Sequence, residues 1–237
     1  LKQEEILTTI DYSFLIGASD YERTLINKAA VRLGDVADCV TGFYSGDNKT
    51  FIRGKNLLEQ NEIFTLPIDK KYINGIISDT DIYIPIYKGK AFIEKEKNDF
   101  VKWDSNTVKF YKTDSKARFQ NSKYYFRLGI GVPMVKSKKI EAFYIKDALF
   151  DQSVVGVFPK NEKYIKYIIG FLNSEVGNRL VQIINHTSNN SANYLKKLPL
   201  IIEEDKIPEI EAILDDYSET KNKSTTQKEL DRVFNSI

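Results

Sequence analysis

The chain has 237 residues, of which 42% are hydrophobic and 29% charged; that is the composition of a globular protein with enough apolar material for one large domain, or one domain with a helical appendage. Its one cysteine, Cys39, excludes an internal disulfide and suits a reducing, cytoplasmic compartment, and no run approaches the roughly 20 apolar residues of a membrane helix. A net charge of +2 does not by itself mark a polyanion binder, yet residues 109–140 hold 9 Lys or Arg against one acid, Asp114, while the stretch from Glu203 onward holds 10 acids against 5 bases.

In chain order, residues 1–16 read as an irregular or strand-like lead-in. Ser19-Asp20-Tyr21-Glu22 is a capping box that predicts a helix to about Val31. Leu33 to Val40 alternates as a strand does, with Cys39 as a small buried residue. Gly42, Gly46, Asp47 and Asn48 make a turn-rich loop. From about Phe51 to Val157 the pattern is one of short strands: Ile82–Tyr87, with a Pro85 that suits an edge strand, then Val108–Tyr111, Tyr124–Phe126 and Ala142–Ile145. Over 161–184 the period changes, and Ile165, Ile168, Leu172, Val176, Leu180 and Ile183 predict one long amphipathic helix. After a polar loop, Asn185–Asn193, the residues Tyr194–Ile202 read as a final strand. Pro208 opens an acidic helix through about Tyr217, a polar linker covers 218–225, and Thr226-Gln227-Lys228-Glu229 is a second capping box. The expected fold class is therefore α+β: strand-rich, with one long amphipathic helix and C-terminal helices. The chain opens on Leu1 and stops within a helical pattern at Ile237, so a longer parent polypeptide is expected.

Catalytic signatures are scarce. Gly129-Ile130-Gly131 is the one Gly-x-Gly and has no third glycine at Met134, so no nucleotide-type glycine loop is formed. One histidine and one cysteine are too few for a His/Cys zinc site, and His186 lies in a polar loop with no nucleophile elbow in the chain. Glu219-Thr220-Lys221 lacks a suitably spaced upstream Asp and reads as chance. Neither catalytic nor metal-binding residues are assigned.

Three segments together carry a resemblance. They are Leu33-Gly34-Asp35-Val36-Ala37 running on to Thr41–Ile52; Lys123–Ile130 with Phe150–Ser153 and Val157-Phe158-Pro159; and Gly170–Ser174, followed by the Asn-rich loop and Leu195-Lys196-Lys197-Leu198-Pro199. In order and spacing they resemble the C-terminal target-recognition domain of TaqI-like and Eco57I-like adenine-N6 DNA methyltransferases, over about residues 20–237. Specificity subunits of type I restriction systems share the Leu-Gly-Asp-Val-Ala opening and the Leu-Pro ending and are the nearest alternative. One departure is Val132, near which relatives often carry an aromatic residue.

The resemblance implies residues 1–32 as a lead-in and connecting helix from an N-terminal catalytic domain, 33–202 as the target-recognition domain, and 203–237 as a helical appendage. It implies double-stranded DNA and the methyltransferase domain of the same polypeptide as partners. It places S-adenosylmethionine in that other domain, with no cofactor here; the six prolines are never adjacent, so the Asn/Asp-Pro-Pro-aromatic loop that holds the target amine is missing. A protein-interaction module is the reading from another class, permitted by 14 Tyr and the acidic terminal helices.

Base readout needs bidentate groups on positioned loops, and phosphate contacts need Lys, Arg or small polar groups. The candidates are Asp47, Asn48, Lys49 and Arg53 at the first glycine turn; Lys88; Arg127, Lys136, Lys138 and Lys139 in the basic centre; and His186, Thr187, Asn189 and Asn190 in the polar loop. Asp47 and Asn48 are also ordinary turn formers, Lys136–Lys139 could be a solvated hairpin tip, and Arg127 a core-rim arginine.

Overall fold

The computed structural model describes residues 17–237 except 30, 66, 136 and 138, so the expected lead-in over 1–16 lies outside the described residues. The fold is α+β. The chain forms two compact units, each assembled from separate stretches: the first takes residues up to 39 with 135–141 and 159–237, the second 40–134 with 142–158. Among the described residues no helix is long and apolar enough to cross a membrane.

The capping box forms as its residues require: Ser19 N–H donates to Glu22 Oε2 at 2.6 Å and Glu22 N–H to Ser19 Oγ at 3.2 Å. The helix α1 that it opens, Asp20–Lys28, stops three residues short of Val31. The short strand β1, Val31–Arg32, follows. The alternating run after it is not one strand. Leu33–Val36 makes a single helical turn, α2, because Asp35 reaches back to accept the Arg32 N–H at 2.7 Å. Strand geometry begins only at β2, Ala37–Thr41, where Cys39 is 1% exposed and burial pushes its thiol up to about 12. Next come α3, Asn48–Phe51, and β3, Ile52–Gly54.

The second unit continues with β4, Tyr83–Tyr87, and β5, Asp99–Lys102. Val108–Tyr111, expected as a strand, lies instead in α4, Ser105–Thr113. Asp104 caps it, accepting from Thr107 N–H at 2.9 Å and from its hydroxyl at 2.6 Å, and the buried Thr107, Val108 and Tyr111 have helical spacing. Tyr124–Phe126 is no strand either: a 3-10 turn covers Ser122–Tyr124, and Phe126 has φ 65. The remaining strands are β6, Gly129–Pro133; β7, Phe143–Ile145; β8, Leu149–Phe150; and β9, Val154–Pro159. They make two four-stranded sheets, β3-β5-β4-β8 and β2-β9-β6-β7.

Pro85 therefore sits in an inner strand rather than an edge strand. It is tolerated because β4 pairs antiparallel with β5 only through Pro85 and parallel with β8 only from Ile86 on, so its missing N–H falls between partners. The Gly-x-Gly serves packing: a Cβ on Gly129 would sit 2.5 Å from the Phe158 ring, and one on Gly131 2.6 Å from the Phe143 ring. The core of this unit is aromatic, centred on the fully buried Trp103 and the rings of Phe43, Tyr111 and Tyr125.

The long helix expected over 161–184 is two helices, α5 Ile165–Asn173 and α6 Glu175–Ile184, joined at Ser174. Ser174 Oγ accepts the Gly177 N–H at 3.1 Å, and Asn178 Nδ2 donates to the Leu172 and Ser174 carbonyls at 3.0 and 2.9 Å. The break thus supplies its own caps, and a Cβ on Gly177 would meet the Phe171 carbonyl oxygen at 2.0 Å. The apolar stripe survives the break, so periodicity does not register it.

Tyr194–Ile202 is strand only in part: its first three residues belong to the helix α7, Ala192–Lys196, and only β10, Pro199–Leu200, is a strand, antiparallel to β1. The acidic helix α8 runs Ile207–Thr220 and α9 runs Lys223–Asn235. Two residues separate them rather than the expected linker, with Lys221 in a left-handed turn at φ 53. The second capping box does not cap, because α9 starts earlier on Asn222, whose Oδ1 accepts the Thr225 N–H at 3.2 Å. Both helices pack on α5 through the buried Ile210, Leu214, Leu230 and Phe234.

Candidate nucleic-acid interface

In the second unit the first polar loop and the start of the basic centre, about 60 residues apart in sequence, form one surface. Tyr44 and Arg118 exchange main-chain hydrogen bonds at 3.3 and 2.8 Å. Gly46, with φ +86, backs onto Ala117 and Asp114; a Cβ there would lie 3.1 Å from each. The Phe51 ring packs on Phe110 at 5.4 Å and on Tyr111 at 5.1 Å between centroids.

Lys49, Lys109, Lys112, Lys116 and Arg118 are all exposed on this surface, and Phe110 is 42% exposed. Lys112 is engaged, donating to Asn74 Oδ1 at 2.6 Å and lying 5.0 Å over the Phe119 ring. Among the described residues Lys49, Lys109 and Lys116 have no ion-pair partner. The two acids on this face are committed to the backbone. Asp47 caps α3, taking the Lys49 and Thr50 N–H groups at 3.0 and 3.3 Å and the Thr50 hydroxyl at 2.7 Å. Those bonds, the Thr50 hydroxyl first, hold its carboxyl below the usual carboxylate range. Asp114 Oδ1 accepts from the N–H groups of Lys116 and Ala117, both at 2.9 Å. What the surface offers a ligand is thus positive charge beside an aromatic face.

The other candidates of this unit are placed unequally. Asn48 is half-buried: its Oδ1 accepts from Ser45 Oγ at 2.8 Å and its Nδ2 donates to the buried Asp151 at 3.5 Å. Arg53 turns back on its own loop, donating to the Lys49 and Ile52 carbonyls at 2.6 and 3.0 Å. Lys88 follows β4 and is half-buried. Arg127 is exposed and lies 5.7 Å over the Tyr124 ring, which stacks on Phe158.

The first unit gathers the rest. Val135 bridges to Asn189, which brings the segment 135–141 against the Asn-rich loop. Lys136 and Lys138 lie outside the described residues, and Lys139 is exposed. Asn185, fully buried, organises the loop: its Oδ1 accepts the Thr187 N–H at 3.0 Å, and its Nδ2 donates to the Asn189 carbonyl at 3.0 Å and to Asn190 Oδ1 at 3.3 Å. Asn190 is buried by that contact, while the side chains of His186, Thr187 and Asn189 are exposed. Lys139 lines a hollow with Lys223, Gln227 and Lys228, where Lys223 pairs with Glu141. The first turns of α9 therefore add positive charge beside the 135–141 segment, although the terminal helices are acidic as a whole.

Sequence reasoning named neither Phe110 nor Lys109, Lys116 and Arg118 as site residues, because it took Val108–Tyr111 for a strand. The Asp104-Ser105-Asn106-Thr107 cap was the signal that could have found the helix. No protein-family model matches the chain, and a search of curated proteins finds no match.

Proposed function

We propose that this chain is the sequence-recognition part of an adenine-N6 DNA methyltransferase or related restriction–modification protein of the cytoplasm. In this reading it engages duplex DNA and leaves methyl transfer and S-adenosylmethionine to a catalytic domain elsewhere in the parent polypeptide. The observation that supports it best is the joined surface of the second unit, where Phe51 packs on the exposed Phe110 and where Lys49, Lys109 and Lys116 are exposed and, among the described residues, have no ion-pair partner. Ammonium groups held so by a packed loop and a capped helix are suited to phosphates, which position a protein on DNA. Reading of bases falls to the exposed polar side chains of the first unit's loop, His186 and Asn189.

The test is the salt dependence of duplex binding by fluorescence anisotropy. Each phosphate contact adds about 0.9 to the log–log salt slope, so Lys49→Gln, Lys109→Gln and Lys116→Gln combined flatten it by up to about 2.7 on every DNA sequence. A triple variant with the native slope overturns this assignment of the surface.

A further inference from the structure

The second unit also contains a cleft on a part of β4 that the DNA reading does not use. Tyr83 turns its main-chain N–H to the Glu62 carbonyl at 2.7 Å and accepts the Phe64 N–H at 2.9 Å, both on the side away from β5. Strand alternation points Pro85 and Tyr87 the same way, and the Tyr87 carbonyl accepts the Asp151 N–H at 2.9 Å. Pro85 falls between these partners with no N–H to offer. A cleft of about 420 Å³ opens there.

Its walls have two characters. Pro85 and Phe100 are register partners, Phe64 stands by them, and Phe100 is 4% exposed without belonging to the aromatic core. Lys97 and Lys55 line the same cleft, with Asp147. Lys97 is half-buried and donates to the Asp147 carbonyl at 3.3 Å, but among the described residues it has no ion-pair partner. Burial pulls its pKa below the ordinary lysine value, a cost that a bound anion would relieve. Asp147 lies in the turn between β7 and β8, in the left-handed region at φ 49.

We propose that this cleft binds a nucleoside monophosphate, with the heteroaromatic ring against Pro85, Phe64 and Phe100 and the phosphate on Lys97 and Lys55. The volume falls in the range of sites for one small ligand, about 300–1,000 Å³, and leaves no room for a folded polymer. Flat apolar walls take the face of a ring, and Asp147 supplies an acceptor for a ring amino or imino group. An unstacked nucleotide of a DNA strand offers the same chemistry, and the experiment separates the two sources. The site does not depend on the DNA reading, since Lys49, Lys109 and Lys116 take no part in it.

The experiment is a titration of the whole chain, its lysines carrying ¹³C-methyl labels, with adenosine, guanosine, cytidine and thymidine monophosphates. The expected result is saturable binding of at least one of them, with the Lys97 resonance shifting and its titration midpoint rising. Lys97→Met weakens that binding at least about tenfold with melting temperature unchanged, Lys97→Arg restores it, and Lys109→Gln leaves it alone. A single-stranded decamer that binds more tightly than the monophosphates, and loses this with Lys97→Met, assigns the nucleotide to a strand. The proposal is overturned if no nucleotide saturates by about 10 mM, if inorganic phosphate alone binds as well, or if Lys97→Met binds as the native chain does.

Discussion

In the first unit Ile168 of α5 and Ile210, Leu214, Leu230 and Val233 of α8 and α9 are buried to 2% exposure or less, and the rings of Tyr167 and Phe171 meet Phe234 at 5.3 and 5.6 Å between centroids. In the second, Trp103 has the rings of Phe43, Tyr111, Phe119, Tyr125 and Phe126 around it at centroid distances of 5.7 to 6.4 Å. Helix faces repeat along the chain, so the first kind of core is spread over many interchangeable side chains. A ring cluster converges on one residue. The two units should therefore fail differently: the first by losing a layer, the second by losing its centre.

Removing the layer gives the largest expected effect. Ending the chain before Glu203 strips five side chains, Ile210, Leu214, Leu230, Val233 and Phe234, from the core of the first unit. At about 1.5–3 kcal/mol each, their loss is comparable with the whole stability of a typical domain, roughly 5–15 kcal/mol. Hydrogen exchange should show α5 and α6 unprotected in the truncated chain, while the fluorescence of Trp103 stays that of a buried indole. Retained protection of α5 and α6 would show that the terminal helices are a dispensable appendage after all.

Removing the centre is the converse experiment. Trp103→Ala should cost roughly 3–5 kcal/mol, the usual range for a large buried aromatic, and the loss should fall on the second unit. Denaturant unfolding followed by amide hydrogen exchange of α5, α8 and α9 separates the units, because these helices belong wholly to the first. Their amides should stay protected in the Trp103→Ala chain while those of β4 and β5 exchange. Loss of protection in both sets would mean that the two cores are one cooperative system.

A smaller effect separates scaffold from reader within the polar loop of the first unit. Asn185→Ala leaves the Thr187 N–H without its acceptor, takes one of two donors from the Asn189 carbonyl, and should cost about 1–3 kcal/mol of stability. Asn189→Ala removes an exposed side chain and should change stability by less than about 0.5 kcal/mol. On a cognate DNA site, once one is found by selection from random duplexes, Asn189→Ala should cost about 1–3 kcal/mol of binding and leave random DNA unaffected. Equal losses on both kinds of DNA would make the loop a phosphate clamp.

Much of the helical part could be read from residues alone because its signals are local. Ser19 and Glu22 lie three residues apart and form the cap they predict, and the apolar stripe from Ile165 to Ile184 is a helical stripe in the structure too. The break at Ser174 escaped because Gly177 keeps the period while approaching the Phe171 carbonyl, a distance visible only in three dimensions. Val108–Tyr111 was misread because an aromatic, β-branched quartet suits either state, and the buried Asp104 cap decided between them. Among the site residues, exposure could be anticipated for Lys49, Lys139 and Asn189, whereas the engagement of Asn48 with Ser45 and Asp151 could not, since Asp151 is 103 residues away.

By itself, then, the sequence determined the α+β class, the helices whose periodicity and caps lie within a few residues, and an uneven distribution of charge along the chain. Tertiary structure alone decided which loop stands beside which lysine. Tyr44 pairs with Arg118 and Val135 with Asn189 through main-chain hydrogen bonds that leave no trace in side-chain identity. It alone decided the cleft as well: Pro85 reads as an edge residue in sequence, and lines a cleft where β4 changes partners. Caps and periods act over a turn or two, whereas strand partners are chosen by the whole core at once.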